Sequence, residues 1–136
     1  GEIEMGADPD NFDRNLSPQS VEAVYRLAQR IPSLGIPNTL SGVADLWDVS
    51  DDWIPIYDCT DVSGFYVAIG TSGNQFKTAP AVGEMMAALI NACEQGADHD
   101  QNPIRFQLAR TGHEINLGFF SRNREPNPAS SLSVLG

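Results

Sequence analysis

The sequence predicts an α+β fold with two main helices and an antiparallel or mixed sheet. One helix is predicted to begin at Pro18, because Ser17 is a suitable N-cap and apolar residues follow at spacings of three and four. A second helix is predicted to begin near Ala79 and to end at Gly96. Short apolar or alternating segments at residues 65–69 and 104–109 indicate strands.

Other segments are assigned by weaker patterns. Residues 1–6 and 39–49 read as strands, although Gly42 interrupts the second. Pro55 limits residues 54–57 to a short edge strand. We expect one face of the first helix to be buried, and the apolar stripe of the second to pack on the sheet that contains residues 65–69. A tail rich in Ser, Pro and Asn, residues 123–136, is predicted to be extended or poorly ordered.

Charge and hydropathy exclude several classes of partner. The chain has 18 acidic and 8 basic residues, so its formal charge is −10 and both nucleic acid and an anionic membrane surface would be repelled. The sequence contains no apolar run near the roughly 20 residues that a membrane span needs. The charge and hydropathy favour a soluble, cytoplasmic chain without nucleic-acid partners.

Metal chemistry is not predicted. The acidic turn at residues 8–13 lacks the glycine and the closing glutamate of an EF-hand loop. His99 and His113 have no third ligand at zinc spacing, and the Asp-His-Asp loop around His99 is expected to be a solvated turn. Cys59 and Cys93 fit two free thiols as readily as one disulfide.

The most informative feature is a strand followed by a glycine-rich turn and a helix. The strand at residues 65–69 leads into the glycine turn, residues 70–73, and Lys77, the one lysine of the chain, precedes the second helix. Small residues let a ligand approach the backbone, and the first N–H groups of a helix lack partners inside the helix. The pattern therefore indicates a site for a cofactor or an anion, although a turn that only reverses the chain would look the same.

The surrounding residues resemble a known family. The strings ADLWDVSDDWIPI, residues 44–56, and GFYVAIGTSGNQFKTAPAVGE, residues 64–84, are similar to the C-terminal end of FAD-dependent amine and amino-acid oxidoreductases. That family includes sarcosine oxidase, glycine oxidase, D-amino-acid oxidase and dimethylglycine dehydrogenase. The similarity covers about residues 42–92, in order and nearly without gaps.

The resemblance implies a site. Lys77 would be the catalytic lysine that lies above the flavin ring and binds the substrate carboxylate, and Trp47 would shape the substrate pocket. The glycine turn would lie against the flavin, where its N–H groups stabilise negative charge on the reduced ring. The residues implied to bind the cofactor are Gly70, Thr71, Ser72, Gly73, Asn74, Gln75, Phe76 and Lys77.

Four positions qualify the resemblance. Asn74 and Gln75 stand where sarcosine oxidases carry histidine and glycine, and amides cannot take up protons as imidazole does. Asp45 stands about where some members carry a cysteine linked to flavin, which argues against a covalent link from this segment. Asp51 is expected to hydrogen-bond the N–H groups of its loop rather than to act as a base.

The resemblance also implies a domain organisation. Residues 1–63 would end the substrate domain, residues 64–96 would be the final strand and helix that return to the FAD-binding domain, and residues 97–136 would be a C-terminal extension. We expect the N-terminal dinucleotide-binding domain, with its glycine fingerprint, to be absent from this chain. The chain alone would bind FAD weakly or not at all, would be inactive, and could form a homodimer through apolar faces that lack their partners.

Two other classes stay open. A non-catalytic relative could keep the pattern as architecture only, for example as an assembly module. A stand-alone binding domain of this length is the other possibility. Neither the substrate, an amine or amino acid, nor the electron acceptor is fixed by these residues.

Overall fold

The computed structural model describes residues 6–130 and has an α+β fold, as predicted. The described residues contain two α-helices, four short strands and three 3₁₀ turns. They belong to two compact units, Gly1–Leu46 and Trp47–Gly136. The strand predicted at the N-terminus lies outside the described residues. The predicted three-part division of the chain stays a prediction.

The first unit contains helix α1, Pro18–Arg30. Its start is the predicted one, because Pro18 occupies the first turn and the Ser17 side chain accepts a hydrogen bond from the Ser20 N–H at 3.1 Å. The prediction of a buried face is wrong for the described residues, where Ala28 is the one buried residue of α1. Val21 is half-buried, and the side chains of Val24, Tyr25 and Leu27 are 37–49 % exposed.

Residues 39–49 do not form the predicted strand. Residues 40–49 have no regular secondary structure, because a strand requires a partner strand, and the one backbone bond that they make to another part of the first unit is from the Ala44 N–H to the Arg14 carbonyl, at 3.0 Å. The alternation of residue types in the sequence does not show whether a partner strand is present.

The second unit begins with an antiparallel hairpin. Strand β1, Ile56–Cys59, starts two residues later than predicted, directly after Pro55, and pairs with β2, Tyr66–Ile69. Ile56 lies opposite Ile69, and Cys59 lies opposite Tyr66. Gly64, at φ +75°, closes the turn between the strands.

Helix α2, Ala79–Glu94, follows β2 through the glycine turn and a 3₁₀ turn, Phe76–Thr78. It ends at Gln95, and Gly96 adopts φ +91°, in agreement with the predicted stop. As predicted, α2 packs on the hairpin. The fully buried core joins the two elements to the C-terminal part of the unit through Tyr57, Met85, Leu89 and Leu117.

A second hairpin and a C-terminal segment complete the unit. Strand β3, Arg105–Gln107, pairs with β4, Glu114–Asn116, and a 3₁₀ turn, Leu117–Phe120, follows. The tail is predicted to be extended or poorly ordered only where no surface ties it down, and hydrogen bonds from Arg124, Asn127 and Ser130 to Asp52 hold residues 124–130 to the body of the unit. The rest of the predicted tail, residues 131–136, lies outside the described residues.

Candidate functional site

The glycine turn after β2 has a strained, left-handed backbone. Gly70, Ser72 and Gly73 have φ values of +66°, +50° and +69°. A Cβ atom at Gly70 would lie 3.2 Å from the Cβ atom of Ser50, so glycine is required there by conformation and by space. Ser72 is a non-glycine residue in the left-handed region, a conformation that persists only where the surroundings enforce it.

Hydrogen bonds to Asp48 hold the turn in this conformation. Its carboxylate accepts hydrogen bonds from the Gly70 N–H and, at 2.9 Å, from the Thr71 hydroxyl. Its backbone carbonyl accepts from the Ser72 N–H at 3.0 Å. The amides of Gly70 and Ser72, which the resemblance would direct at a ligand, are therefore bonded inside the chain.

The same contacts change the acidity of Asp48. Burial alone would raise the pKa of this carboxyl group, but the hydrogen bonds from the Thr71 side chain and from the backbone of Gly70 and Thr71 outweigh it. The net pKa lies below its ordinary value. Asp48 is therefore ionised at neutral pH and acts as an anionic anchor for the glycine turn.

We expect Asp48→Ala to loosen the glycine turn. Loss of two hydrogen bonds to a charged, partly exposed group should cost about 1 kcal/mol, and the Gly70 amide should exchange about fivefold faster with solvent. Amide hydrogen exchange followed by NMR measures this. Asp45→Ala is the matched control, because Asp45 is an exposed carboxylate whose described hydrogen bond is to the adjacent Leu46 N–H. Equal exchange of Gly70 in both variants would contradict the role of Asp48.

Phe76 and Lys77 follow the glycine turn and face solvent. Phe76 is 98 % exposed, and Lys77 is exposed and forms no ion pair with residues 6–130. Lys77 stands in the 3₁₀ turn immediately before the N-terminus of α2. The lysine predicted to be catalytic therefore has a free ammonium group in the described part of the chain.

Gln75 faces the other way. Its side-chain oxygen accepts hydrogen bonds from the Tyr57 hydroxyl, at 3.1 Å, and from the Thr78 hydroxyl, at 2.7 Å. Gln75 thus fixes the 3₁₀ turn to β1, and its oxygen is used within the chain.

Among the residues implied to bind a cofactor, the exposed ones are Gly73, Phe76 and Lys77, while Asn74 is half-buried.

Trp47 lies at the start of the second unit and is 45 % exposed. Its neighbour Asp48 holds the glycine turn, so Trp47 is tied to the same end of β2 as the residues implied to bind the cofactor. Ile69, at the end of β2, is 49 % exposed. Ile69 before the glycine turn and Phe76 after it are therefore large apolar side chains that the described residues do not bury.

The role expected for Asp51 belongs to its neighbour. Asp51 is exposed, whereas Asp52 is 2 % exposed and accepts the Ile54 N–H at 3.0 Å, as a loop-stabilising aspartate does. Asp52 also pairs with Arg124 at 2.7 Å and accepts the Asn127 N–H at 3.1 Å. Adjacent carboxylates in one loop offer no local signal that decides which of them turns inward.

The His99 side chain is buried, although the loop around it is exposed at residues 97, 98 and 100–103, as predicted. The Nδ1 atom of His99 accepts the Ile104 N–H at 3.1 Å, and its Nε2 atom lies 3.7 Å from the Asp58 carboxylate. Because Nδ1 is an acceptor, a neutral ring would carry its proton on Nε2, facing Asp58. The sequence did not indicate that His99 alone turns inward, because its partner Asp58 lies in the distant strand β1.

Arg122 organises the carboxylates around His99. Its guanidinium group donates to Asp58 at 3.1 Å, to both oxygens of Asp100 at 2.9 and 3.0 Å, and to the Cys59 carbonyl at 2.8 Å. The hydrogen bonds that Arg122 donates to Asp100 and Asp58 raise its pKa. Ligand atoms of Asp58, Cys59 and Asp100 lie within 4.8 Å of one another, but Arg122 already neutralises both carboxylates, so this cluster is an ion-pair network rather than a metal site.

Sequence reasoning missed the C-terminal arginines. Arg122 reaches Asp58 in β1, 64 residues away in sequence, and Arg124 reaches Asp52 in the loop before β1, 72 residues away. A pair of arginines in an acidic chain was the available signal, but their partners could not be named without the fold.

Comparisons with known proteins give no assignment. No protein-family model, curated protein or solved structure matches this chain. Neither helix in residues 6–130 combines the length and apolar character that crossing a bilayer requires.

Proposed function

We propose that this chain is the C-terminal part of an FAD-dependent oxidoreductase of the D-amino-acid oxidase family, which oxidises the C–N bond of an amino acid or secondary amine to an imine. The ordered resemblance of residues 42–92 supports the family. The structural observation that carries the proposal is the pair Phe76 and Lys77, an almost fully exposed aromatic ring and a free ammonium group, presented by a turn that Asp48 fixes from behind.

The residues on the outer side of this turn fit a flavin edge in part. A flavin offers an apolar ring system with polar atoms along one edge, and Phe76 and the exposed backbone of Gly73 provide apolar and polar contacts. The amides of Gly70 and Ser72 donate to Asp48 and are not available to a flavin, so the contacts to a flavin would have to come from residues 73–77. When bound, the flavin supplies the acceptor for the hydride equivalent.

This chain's own residues would position the substrate. Lys77 would bind the substrate carboxylate through charge-assisted hydrogen bonds, and Trp47 would form an apolar wall of the pocket. Asp48 would keep the turn in one conformation. The backbone that carries the ammonium group of Lys77 would then already be positioned before the substrate binds. The imine that forms would then be hydrolysed by water.

Replacement of Lys77 tests the proposal in the full-length protein. We expect Lys77→Met to lower kcat/KM by about 10²-fold for substrates with a carboxylate, with an unchanged flavin content, because one charged contact is lost from the substrate. For an amine without a carboxylate the two proteins should differ little. The measurement is steady-state kinetics on N-methylated and D-amino acids and on matching amines, with the flavin absorbance recorded first.

Arg110→Met is the control variant, since Arg110 is an exposed cation that forms no ion pair with the described residues. It should keep the wild-type kcat/KM for both substrate types. A loss for Lys77→Met that is equal with and without a substrate carboxylate would contradict the role of Lys77.

One observation favours a second candidate, a non-catalytic relative that keeps the turn as architecture only. Asp48 satisfies the Gly70 and Ser72 amides without any ligand, as a structural turn requires. Full-length protein without flavin absorbance, even after incubation with FAD, would support this candidate and contradict the first.

A further inference from the structure

The two cysteines meet where α2 crosses the first hairpin. Cys59 is the last residue of β1, and Cys93 lies in the last turn of α2, which packs against β1. Tyr66 lies opposite Cys59 on β2, and its hydroxyl donates to the carboxylate of Glu94, the residue after Cys93, at 2.6 Å. This bond holds the end of α2 beside the end of β1.

The thiols are neighbours and are accessible. Both are half-buried and line the same cleft, whose volume is about 400 Å³. They are close enough that each contributes to the pKa shift of the other. Small oxidants can therefore reach the thiols through the cleft, although they lie 34 residues apart in sequence.

The surroundings disfavour other uses of these thiols. Burial, reinforced by the nearby Asp58 carboxylate, raises the pKa of Cys59, and burial likewise raises the pKa of Cys93. A catalytic or metal-binding cysteine has to be a thiolate for most of the time at neutral pH, which burial and the nearby carboxylates oppose, whereas disulfide exchange can proceed, more slowly, through a small thiolate fraction. Arg122 also occupies one oxygen of Asp58 and both oxygens of Asp100, which a metal ion would otherwise use.

We propose that Cys59 and Cys93 form an intrachain disulfide that joins the end of β1 to the last turn of α2. The oxidant is a small-molecule disulfide such as oxidised glutathione. One cysteine thiolate attacks it and releases one molecule of reduced glutathione, and the second cysteine then displaces the other. The protein loses two protons and two electrons, and two glutathione thiols are formed.

This disulfide would close a loop that contains β2, the glycine turn and α2. Because cross-linking restricts the unfolded chain, the oxidised form should be the more stable one. The inference does not rest on the proposed flavin function, since it uses contacts on the opposite end of α2 from Lys77.

The test is equilibration of the chain in oxidised and reduced glutathione. Intact mass under non-reducing conditions should fall by about 2 Da relative to the reduced form, and a peptide map should link the Cys59 peptide to the Cys93 peptide. The melting temperature should rise by roughly 5–10 °C on oxidation and return on reduction. Cys59→Ser and Cys93→Ser should each abolish both the link and the rise.

Two outcomes would overturn the proposal. The first is that, after equilibration of the wild-type chain, both thiols stay free or carry separate glutathione adducts. This outcome can be observed even if the variants do not fold. The second is binding of one Zn²⁺ ion that protects both thiols from alkylation, which would make the pair a metal site instead.

Discussion

Replacing Asp52 with alanine should lower the free energy of unfolding of the chain by about 3 kcal/mol. The carboxylate is 2 % exposed and accepts hydrogen bonds from the Arg124 guanidinium, at 2.7 and 3.2 Å, and from the N–H groups of Ile54 and Asn127. Its removal leaves the guanidinium, of which 14 % is exposed, without its counter-charge. An uncompensated buried charge is among the most costly defects that a single substitution causes.

Urea denaturation followed by circular dichroism measures this loss. Asp51→Ala is the matched control, because it removes the adjacent carboxylate, which is exposed. We expect the control to stay within about 0.5 kcal/mol of the wild type. Limited proteolysis after residue 121 should also become faster in Asp52→Ala alone, since Asp52 holds the C-terminal segment. Equal stability of the two variants would show that the Asp52–Arg124 pair does not hold that segment.

The pKa of Asp52 gives this pair a pH dependence with a definite sign. Burial alone would raise the pKa, but the bonds from Arg124, Asn127 and Ile54 outweigh it and hold the pKa well below its ordinary value of 3.8. Because the folded pKa is depressed, the contribution is fully present above the ordinary value and is lost as the pH falls toward the folded pKa. Wild-type stability should therefore decline below about pH 4 more steeply than that of Asp52→Ala.

Replacing Leu89 with alanine should lower the free energy of unfolding by about 3 kcal/mol as well, but for a different reason. Leu89 is 1 % exposed and packs with Tyr57, Met85 and Leu117, so its truncation opens a cavity between α2 and the first hairpin. Because this loss is apolar, it should be the same at about pH 2 and pH 7, whereas the loss caused by Asp52→Ala should shrink below about pH 4.

Glu84→Ala is the control for the change in helix propensity, since Glu84 is an exposed residue of the same helix and both substitutions place alanine in its interior. It should change the free energy of unfolding by less than about 0.5 kcal/mol. Leu89→Met, which conserves volume, should cost less than about 1.5 kcal/mol. A small effect of Leu89→Ala together with a normal urea dependence would contradict the assignment of Leu89 to the core.

Leu89 and Asp52 each stabilise a part of the structure that is next to the glycine turn in sequence. Leu89 packs α2, which follows the turn, against the hairpin, and Asp52 bonds the C-terminal segment to the loop that begins with Trp47 and Asp48. A substitution at Leu89 or Asp52 should therefore destabilise the turn that carries Lys77, although neither residue contacts Lys77. Loss of activity in such variants of the full-length protein would not by itself identify a catalytic residue.

Local rules were sufficient for the helices. The Ser17–Pro18 start, the stop at Gly96 and the start of α2 near Ala79 each depend on groups within a few residues, such as a capping hydroxyl or a left-handed glycine. The strand before the glycine turn was likewise predicted within one residue. Here the backbone conformation and its hydrogen bonds are decided over a short stretch of chain.

Local rules failed where a partner was distant. Residues 39–49 have a strand-like pattern but no strand beside them in the described residues, and His99 is buried by segments that lie far away in sequence. The choice of Asp52 over Asp51 depends on Arg124, and the use of the Gly70 amide depends on Asp48. No spacing of residues in the sequence identifies these distant partners.

The sequence by itself determined the fold class, the limits of both helices and the position of the strand, turn and lysine on which the proposed function rests. Tertiary structure alone decided that the turn's amides bond to Asp48, that Lys77 and Phe76 face outward, and that the two cysteines are neighbours. The physical reason is one of range. Backbone geometry and capping are fixed within a helical turn, whereas burial, ion pairing and thiol proximity depend on which distant segments the packed chain brings together.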